Sequence, residues 1–235
     1  MPTLSLVIPC YNEARNIPAL LERCAVLTGR PGVEVILVDN GSSDDTPAIL
    51  QDLLPRYSGC RSVRVEKNRG YGFGILSGLR AATGQILAWT HADLQTDPAD
   101  ALRGLDLFEA APDPDRLFVK GRRHGRPAGD VFFTTGMSVF ETLLLARPLW
   151  DVNAQPTMVT RSFFEAWGKP PHDFALDLYA YYNARRAGMT VRRFPVRFGE
   201  RLHGHSHWNV NWRAKWKFIR RTVDFSWNLR LGAYR

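Results

Sequence analysis

Cysteine is scarce in this chain. Cys10, Cys24 and Cys60 are three in 235 residues, an odd number without the paired spacing of a zinc site. That count excludes a disulfide framework and fits a reducing compartment, so the three are expected to be small core residues. Long uncharged runs are also missing. Runs such as the ten residues from Val131 to Phe140, or the twelve from Ala81 to Ala92, fall short of the ~18 that a membrane-spanning helix needs, so the chain is not expected to cross a bilayer by itself. The opening residues, MPTLSLVIPC, have no basic region ahead of the apolar run and no small-residue cleavage site. They are expected to form a first strand, not a signal peptide. Finally, acid is almost absent from the C-terminal end. Trp212 to Arg235 holds seven Lys/Arg against one acid, Asp224, so most of the net charge of +8 lies there. Basic charge gathered in one element instead of along a groove argues against a nucleic-acid partner.

Strand-like and helix-like segments alternate. LSLVIP (4–9), VEVILVD (33–39), RSVRVE (61–66) and QILAW (85–89) read as strands; residues 13–27, a stretch opening near Thr46, 72–82 and 98–110 read as helices. Further on, residues 116–123 and 189–196 are expected as strands, and 132–146 and 173–188 as helices, the last closed by Gly188. Such alternation predicts an α/β fold with a mostly parallel sheet flanked by helices, over residues 1–209, followed by a basic amphipathic helix at 210–235. Ligands of such sheets bind beyond the carboxyl ends of the strands, where PCYNEAR, DNGSSDDT, KNRGYG and THADLQTDP fall.

Asp39 at a strand end suits hydrogen bonds from a ribose or base, whereas the following NGSSDDT accounts for a turn and a helix start. The glycines at 70, 72, 74 and 78 follow the third strand, not the first, so they predict close helix packing or backbone approach to a ligand better than a dinucleotide cradle. In WTHADLQTDP, Asp93 is the natural ligand for a divalent cation shared with phosphate oxygens, and Gln95 and His91 stand two residues to either side. An imidazole ligand would shift preference from Mg²⁺ toward Mn²⁺, Co²⁺ or Zn²⁺; a hydrogen-bonding role for His91 is the alternative. Asp97 before Pro98 and Asp173 after Pro170-Pro171 are expected as helix caps.

The segments VIPCYNE, VDNGSSDDT, NRGYGFGILSGLRAATG, THADLQTDP, VKGRR and FPVRFGERLHGHSHWN resemble, in this order and at similar spacing, family 2 glycosyltransferases. They look most like the branch of dolichol- and polyprenol-phosphate mannosyl- and glucosyltransferases, over about residues 4 to 209. The resemblance implies a GT-A fold, a nucleotide-sugar donor, a divalent metal (Mn or Mg) and inversion at the anomeric carbon. By position it implies that Pro9, Tyr11, Glu13 and Asp39 line the nucleotide pocket and that Asp93 and Gln95 hold the metal. His91 stands where the family usually has aspartate, which bears on metal identity. Arg123 occupies the arginine of a G-S-R turn, and Arg201, Gly204 and Ser206 match an R-x-x-G-x-S stretch. Arg201 would bind the diphosphate leaving group or the acceptor phosphate. Asp151 and Gln155 fall in a segment near the donor sugar.

The acceptor is read as a polyprenyl phosphate receiving a hexose. The alternatives are a saccharide hydroxyl in polysaccharide or glycolipid assembly, which needs a general base such as Asp177 or Asp173, and a non-catalytic nucleotide- or membrane-binding protein. In the tail, helical spacing puts Trp212, Trp216, Ile219, Val223 and Trp227 on one stripe and Phe218, Phe225 and Leu229 on a second, with Arg213, Lys217, Arg220 and Arg221 between. One stripe is expected to dock on the domain and the other on an anionic membrane surface, giving a cytoplasmic protein with peripheral contact to the inner face. A separate membrane-spanning partner is compatible with that arrangement.

Overall fold

A computed structural model describes residues 3–203 and 212–234, without the side chains of 212–215, 217 and 218. Strands β1 (Leu4–Cys10), β2 (Val33–Asn40), β3 (Cys60–Val65), β4 (Ile86–Trp89), β5 (Leu117–His124), β6 (Thr157–Thr160) and β7 (Thr190–Arg197) form one sheet in the order β3-β2-β1-β4-β6-β5-β7. The helices are α1 (Ile17–Thr28), α2 (Thr46–Leu53), α3 (Tyr71–Ala81), α4 (Asp100–Glu109), α5 (Ala128–Leu145), α6 (Arg161–Glu165), α7 (Leu176–Arg186) and α8 (Trp212–Arg230). β1 alternates its side chains between two cores. Leu4, Leu6, Ile8 and Cys10 pack with α1, α2 and α4 residues, and Val7 packs on the opposite face with α3 and α7 residues. Cys10, Cys24 and Cys60 are free thiols, and the first two lie in the core.

The parallel expectation holds for β1 with β2 and β4, β2 with β3, and β5 with β7. What the sequence reading lacked is β6, which runs antiparallel to both β4 and β5. Its four residues, TMVT, are too short for periodicity to register. This strand has a large effect on the site. Because β6 runs backwards, the segment before it, residues 151–155, reaches the same sheet edge as the ends of β1, β2, β4, β5 and β7. The first helix starts at Ile17, not Glu13, because the residues in between form a turn in which the backbone N–H of Glu13 donates to Thr46 Oγ1 (2.9 Å).

α3 lies unusually close to the sheet. A Cβ on Gly78 would meet Val7 Cγ1 at 2.3 Å and one on Gly74 would meet Asn40 Nδ2 at 2.9 Å. At the helix start, a Cβ on Gly72 would come within 2.7 Å of the Pro171 and Asp173 carbonyl oxygens, and Gly70 has φ +113. These glycines therefore serve helix packing, as their position after the third strand predicts. Gly78→Ala should overpack this contact and destabilise the protein by about 1–3 kcal/mol. Urea unfolding checks this, and an unchanged midpoint would refute the packing account.

Candidate functional site

The loops after β1 and β2 are stitched together. Asn12, at φ 56, accepts from the Ser43 N–H (2.8 Å) and donates its own N–H to Ser42 Oγ (3.1 Å); the Ala14 N–H donates to Asp44 (3.2 Å). Pro9 and Tyr11 lie at this edge, Tyr11 exposed. Asp39, at the end of β2, is buried; its Oδ1 accepts from the Ser42 N–H (3.0 Å), while Oδ2 has no hydrogen-bond partner among the described residues. Arg64 Nε stands 3.9 Å from that oxygen, an ion pair without a hydrogen bond, so a ligand donor could still complete it. Glu13 lies near Asp93 and Arg201. Burial raises its pKa, with Asp93 adding to the rise and the Asn16 hydrogen bond and Arg201 opposing it.

The loop after β4 holds the acidic centre. Asp93 is 6% exposed, its Oδ1 accepts from the Gln95 N–H (3.1 Å), and Arg201 Nη2 lies 3.1 Å from Oδ2. Residues 95 and 199 bond reciprocally: the Gly199 N–H donates to the Gln95 carbonyl (2.7 Å) and Gln95 Nε2 to the Gly199 carbonyl (3.2 Å). That pairing brings the segment after β7, and hence Arg201, to Asp93. His91 stacks on Tyr71 (centroids 5.3 Å apart), which stacks in turn on Phe174 (4.8 Å). Asp97 and Asp173 each accept a backbone N–H two residues on (2.9 Å in both cases), but in turns ahead of the helices: the N-caps are Ala99 and Ala175, so neither aspartate is the cap expected of it. Ser206 lies outside the described residues, as do Gly204, His205 and His207; His203 is exposed.

Arg123, at the end of β5, meets Asp151 on the loop before β6. Its Nε donates to Asp151 Oδ1 (2.9 Å) and its backbone N–H to Oδ2 (3.2 Å), while Arg193 Nη2 (3.4 Å) and Arg126 Nη2 (3.7 Å) also approach the same carboxylate. Burial would raise the Asp151 pKa, but Arg123 and then Arg126 and Lys120 hold it below the ordinary value. Three guanidinium groups thus share one carboxylate, and Arg126 Nε is buried without a partner among the described residues. Sequence reasoning missed Arg126, Arg193 and Tyr71. The runs GRRHGR and VRRFPVR, on strands that prove to be neighbours, were the available signal.

Asp177, in the first turn of α7, is buried and accepts two hydrogen bonds on Oδ1, from Trp89 Nε1 and Gln155 Nε2 (2.8 Å each). Lys120 is fully buried, donates to the Val152 carbonyl (2.5 Å) and lies 5.1 Å from the Tyr181 ring centroid. Burial pushes its pKa down to about 7, with Asp177 opposing. A cavity of about 60 Å³ beside Arg123 is lined by Ser138, Glu141, Asn153, Phe174 and Leu178 among others. Burial pushes Glu141 up to about 8, partly offset by Lys120.

With this geometry in view, the known relatives can be placed. The model of the family described as "Glycosyl transferase family 2" matches residues 5–158. The chain belongs to glycosyl transferase family 2. Similar curated members include the undecaprenyl-phosphate 4-deoxy-4-formamido-L-arabinose transferases of Pseudomonas savastanoi pv. phaseolicola (39% identical over 116 residues, 47% of this chain and 34% of that one) and Klebsiella pneumoniae (40% over 106 residues, 43% and 32%). The chain spans about a third of the length of these relatives. Among solved structures, the Pyrobaculum calidifontis mannosyltransferase PcManGT, in complex with GDP-Man and Mn²⁺, aligns with a TM-score of 0.66 at 21% identity, over 97% of this chain and 70% of that one. Glucosyl-3-phosphoglycerate synthase from Mycobacterium tuberculosis, in complex with Mn²⁺, UDP and phosphoglyceric acid, aligns with a TM-score of 0.71 at 18% identity, over 98% and 79%. The family 2 chain therefore has the GT-A glycosyltransferase fold.

The Glu141 carboxyl supplies a test of the site's electrostatics. Its proton is held more tightly folded (about 8) than at the ordinary value of 4.5, so its contribution to stability is complete below about 4.5 and is lost as pH rises toward 8. In urea unfolding at stepped pH, the stability of the wild type minus that of Glu141→Gln should fall across this window. A flat difference would mean that the carboxyl is not buried as described.

Proposed function

We propose that this chain is the catalytic part of an inverting, metal-dependent glycosyltransferase that moves a sugar from a nucleotide donor to a polyprenyl phosphate at a membrane surface. One observation favours a phosphate acceptor over a hydroxyl: both carboxylates available as general bases are engaged. Asp177 is buried under two hydrogen bonds, and Asp173 accepts from the Ala175 N–H and pairs with Arg221. A lipid phosphate is already ionised and needs no base, and the surplus of guanidinium around Asp151 offers it charge-assisted bonds from Arg123, Arg126 and Arg193. The names of the undecaprenyl-phosphate transferase relatives agree with that choice.

Among the described residues no three His, Cys, Asp or Glu side chains cluster as a metal site, so a divalent cation would depend on Asp93 together with donor phosphate oxygens. Asp93 already faces a positive group, Arg201, and a nearby imidazole and amide could complete a set that shares phosphate oxygens and water. Asp93, with His91 and Gln95, would hold the ion; bound there, it would offset charge on the nucleotide diphosphate. An imidazole ligand favours Mn²⁺ over Mg²⁺. Pro9, Tyr11, Glu13 and Asp39 would hold the nucleoside, with Asp39 Oδ2 free to accept from a ribose hydroxyl or base N–H. Arg201 would leave Asp93 to bind the departing diphosphate. An acceptor phosphate oxygen attacking the anomeric carbon from the opposite side inverts it, and the nucleotide diphosphate carries away the bond's electrons.

Membrane contact is supported by two adjacent helices. Among the described side chains of α8, Phe225 and Leu229 are buried, whereas Trp216 (62% exposed) and Trp227 (55%) face outward. On α5, Phe132 (84%), Val139 and Leu143 (74%) form a second apolar stripe, and Arg230 of α8 bonds the Leu144 carbonyl beside it. No helix of the described residues is long and apolar enough to cross a membrane. An interfacial docking surface suits two exposed stripes flanked by Arg220 and Arg221.

Transfer from labelled nucleotide-sugars to undecaprenyl phosphate with Mn²⁺ tests the reading. Asp93→Asn should lower the rate by at least about a hundredfold, whereas transfer to a saccharide hydroxyl but not to the lipid would overturn the acceptor assignment. Calorimetry on the nucleotide-free protein supplies a second measurement. Arg201→Gln should tighten Mn²⁺ binding by up to about fivefold, because it removes the cation that competes for Asp93; weaker binding would contradict that pairing.

A further inference from the structure

A second charged surface lies behind the site, between α3, the loop at 168–173 and α8. It is a groove of about 720 Å³ whose rim carries Arg69, Arg80, Lys169 and Arg221 and whose wall includes Phe225 and Tyr234, their rings 4.7 Å apart. Among the described residues Asp173 is the only carboxylate in its lining, and it is already paired with Arg221. Among the described residues Arg80 and Lys169 have no acidic partner, and Arg69 rests over the Phe73 ring at 5.2 Å. Arg69 and Arg80 bracket α3, so cationic groups are spread over about 16 Å.

We infer that this groove receives the phosphate headgroup of an anionic phospholipid. The inference rests on the membrane reading of α8 and goes beyond it by assigning a lipid class. Three features choose this occupant. The rim is cationic with little counter-charge. The aromatic and proline wall, with Pro170 and Pro171, suits the glycerol of a lipid headgroup better than a fully hydrated soluble phosphate. The groove is also walled by the helix that turns Trp216 and Trp227 outward. With those indoles at the acyl boundary, Arg221, about 120–140° around α8 at 100° per residue, lies on the flank of the helix facing the headgroups. The groove contains none of Asp93, Asp151 and Asp177; it shares only Asp173, which is paired with Arg221, with the residues weighed for the acceptor.

Vesicle co-sedimentation of the full chain tests the assignment, using phosphatidylcholine alone and phosphatidylcholine mixed with phosphatidylglycerol. Arg80→Gln with Lys169→Gln should weaken binding to the anionic vesicles by about thirtyfold and leave binding to neutral ones unchanged. The same charge change at Arg56 and Arg116, outside the groove, should cost much less. An equal loss from both pairs, or none from the groove pair, would overturn the groove assignment while leaving the membrane reading intact. Wild-type protein that binds neither vesicle would overturn both. Glycerol 3-phosphate supplies the soluble arm. A rise in Tm that depends on Arg80 and Lys169, without a vesicle effect, would assign the groove to a free phosphate and overturn the lipid.

Discussion

The close seating of α3 on the sheet is the contact on which the other arrangements depend. Gly78 lets the helix rest on Val7 at the centre of β1, and Gly74 admits Asn40 at the end of β2. Asn40 then donates to the Gly70 carbonyl (3.0 Å), and Gly70 and Gly72 allow the loop at 171–173 to cross the start of the helix. Tyr71 is thereby held between His91 and Phe174. A helix one side chain farther out would separate the loop after β4 from the α7 entry and would open the wall of the basic groove. Backbone proximity, not a directional bond, sets this geometry, so its cost in residue choice falls on glycine.

That dependence explains what the sequence made legible. The alternating strands and helices are local patterns, and the first four strands, the place of Asp39 and Asp93 at strand ends and the glycine run were readable from them. β6 was not, because four residues buried on both faces carry no periodic signal. Nor were Arg126 and Arg193. Their role comes from a single carboxylate, Asp151, brought to β5 and β7 by the reversed strand, and a contact of that kind exists only after the topology is known. The tail was half readable: the two stripes follow from helical spacing, but only the packing of Phe225 and Leu229 decides which one turns inward.

Charge is distributed in a way that local patterns could not show. Around Asp93 the balance is close to neutral, with Arg201 opposite Asp93 and Glu13 nearby. Around Asp151 it is positive, because three arginines and the buried Lys120 face one ionised carboxylate and Glu141 keeps its proton up to about pH 8. On the proposed function, the near-neutral region would take the nucleotide diphosphate with a metal, and the positive region the phosphate acceptor.

The two regions meet at the corner formed by residues 171–174. Asp173 holds Arg221 of α8, Phe174 stacks on Tyr71 and lines the cavity beside Arg123, and the carbonyl of His172 accepts from the Phe73 N–H (2.9 Å). The tail helix is thus joined to the site through one short loop and not merely appended to the domain. Under the proposed acceptor, a lipid phosphate bound at Arg123 would lie beside Phe174, which lines the same cavity. The position of the tail and the engagement of Asp177 support the same acceptor.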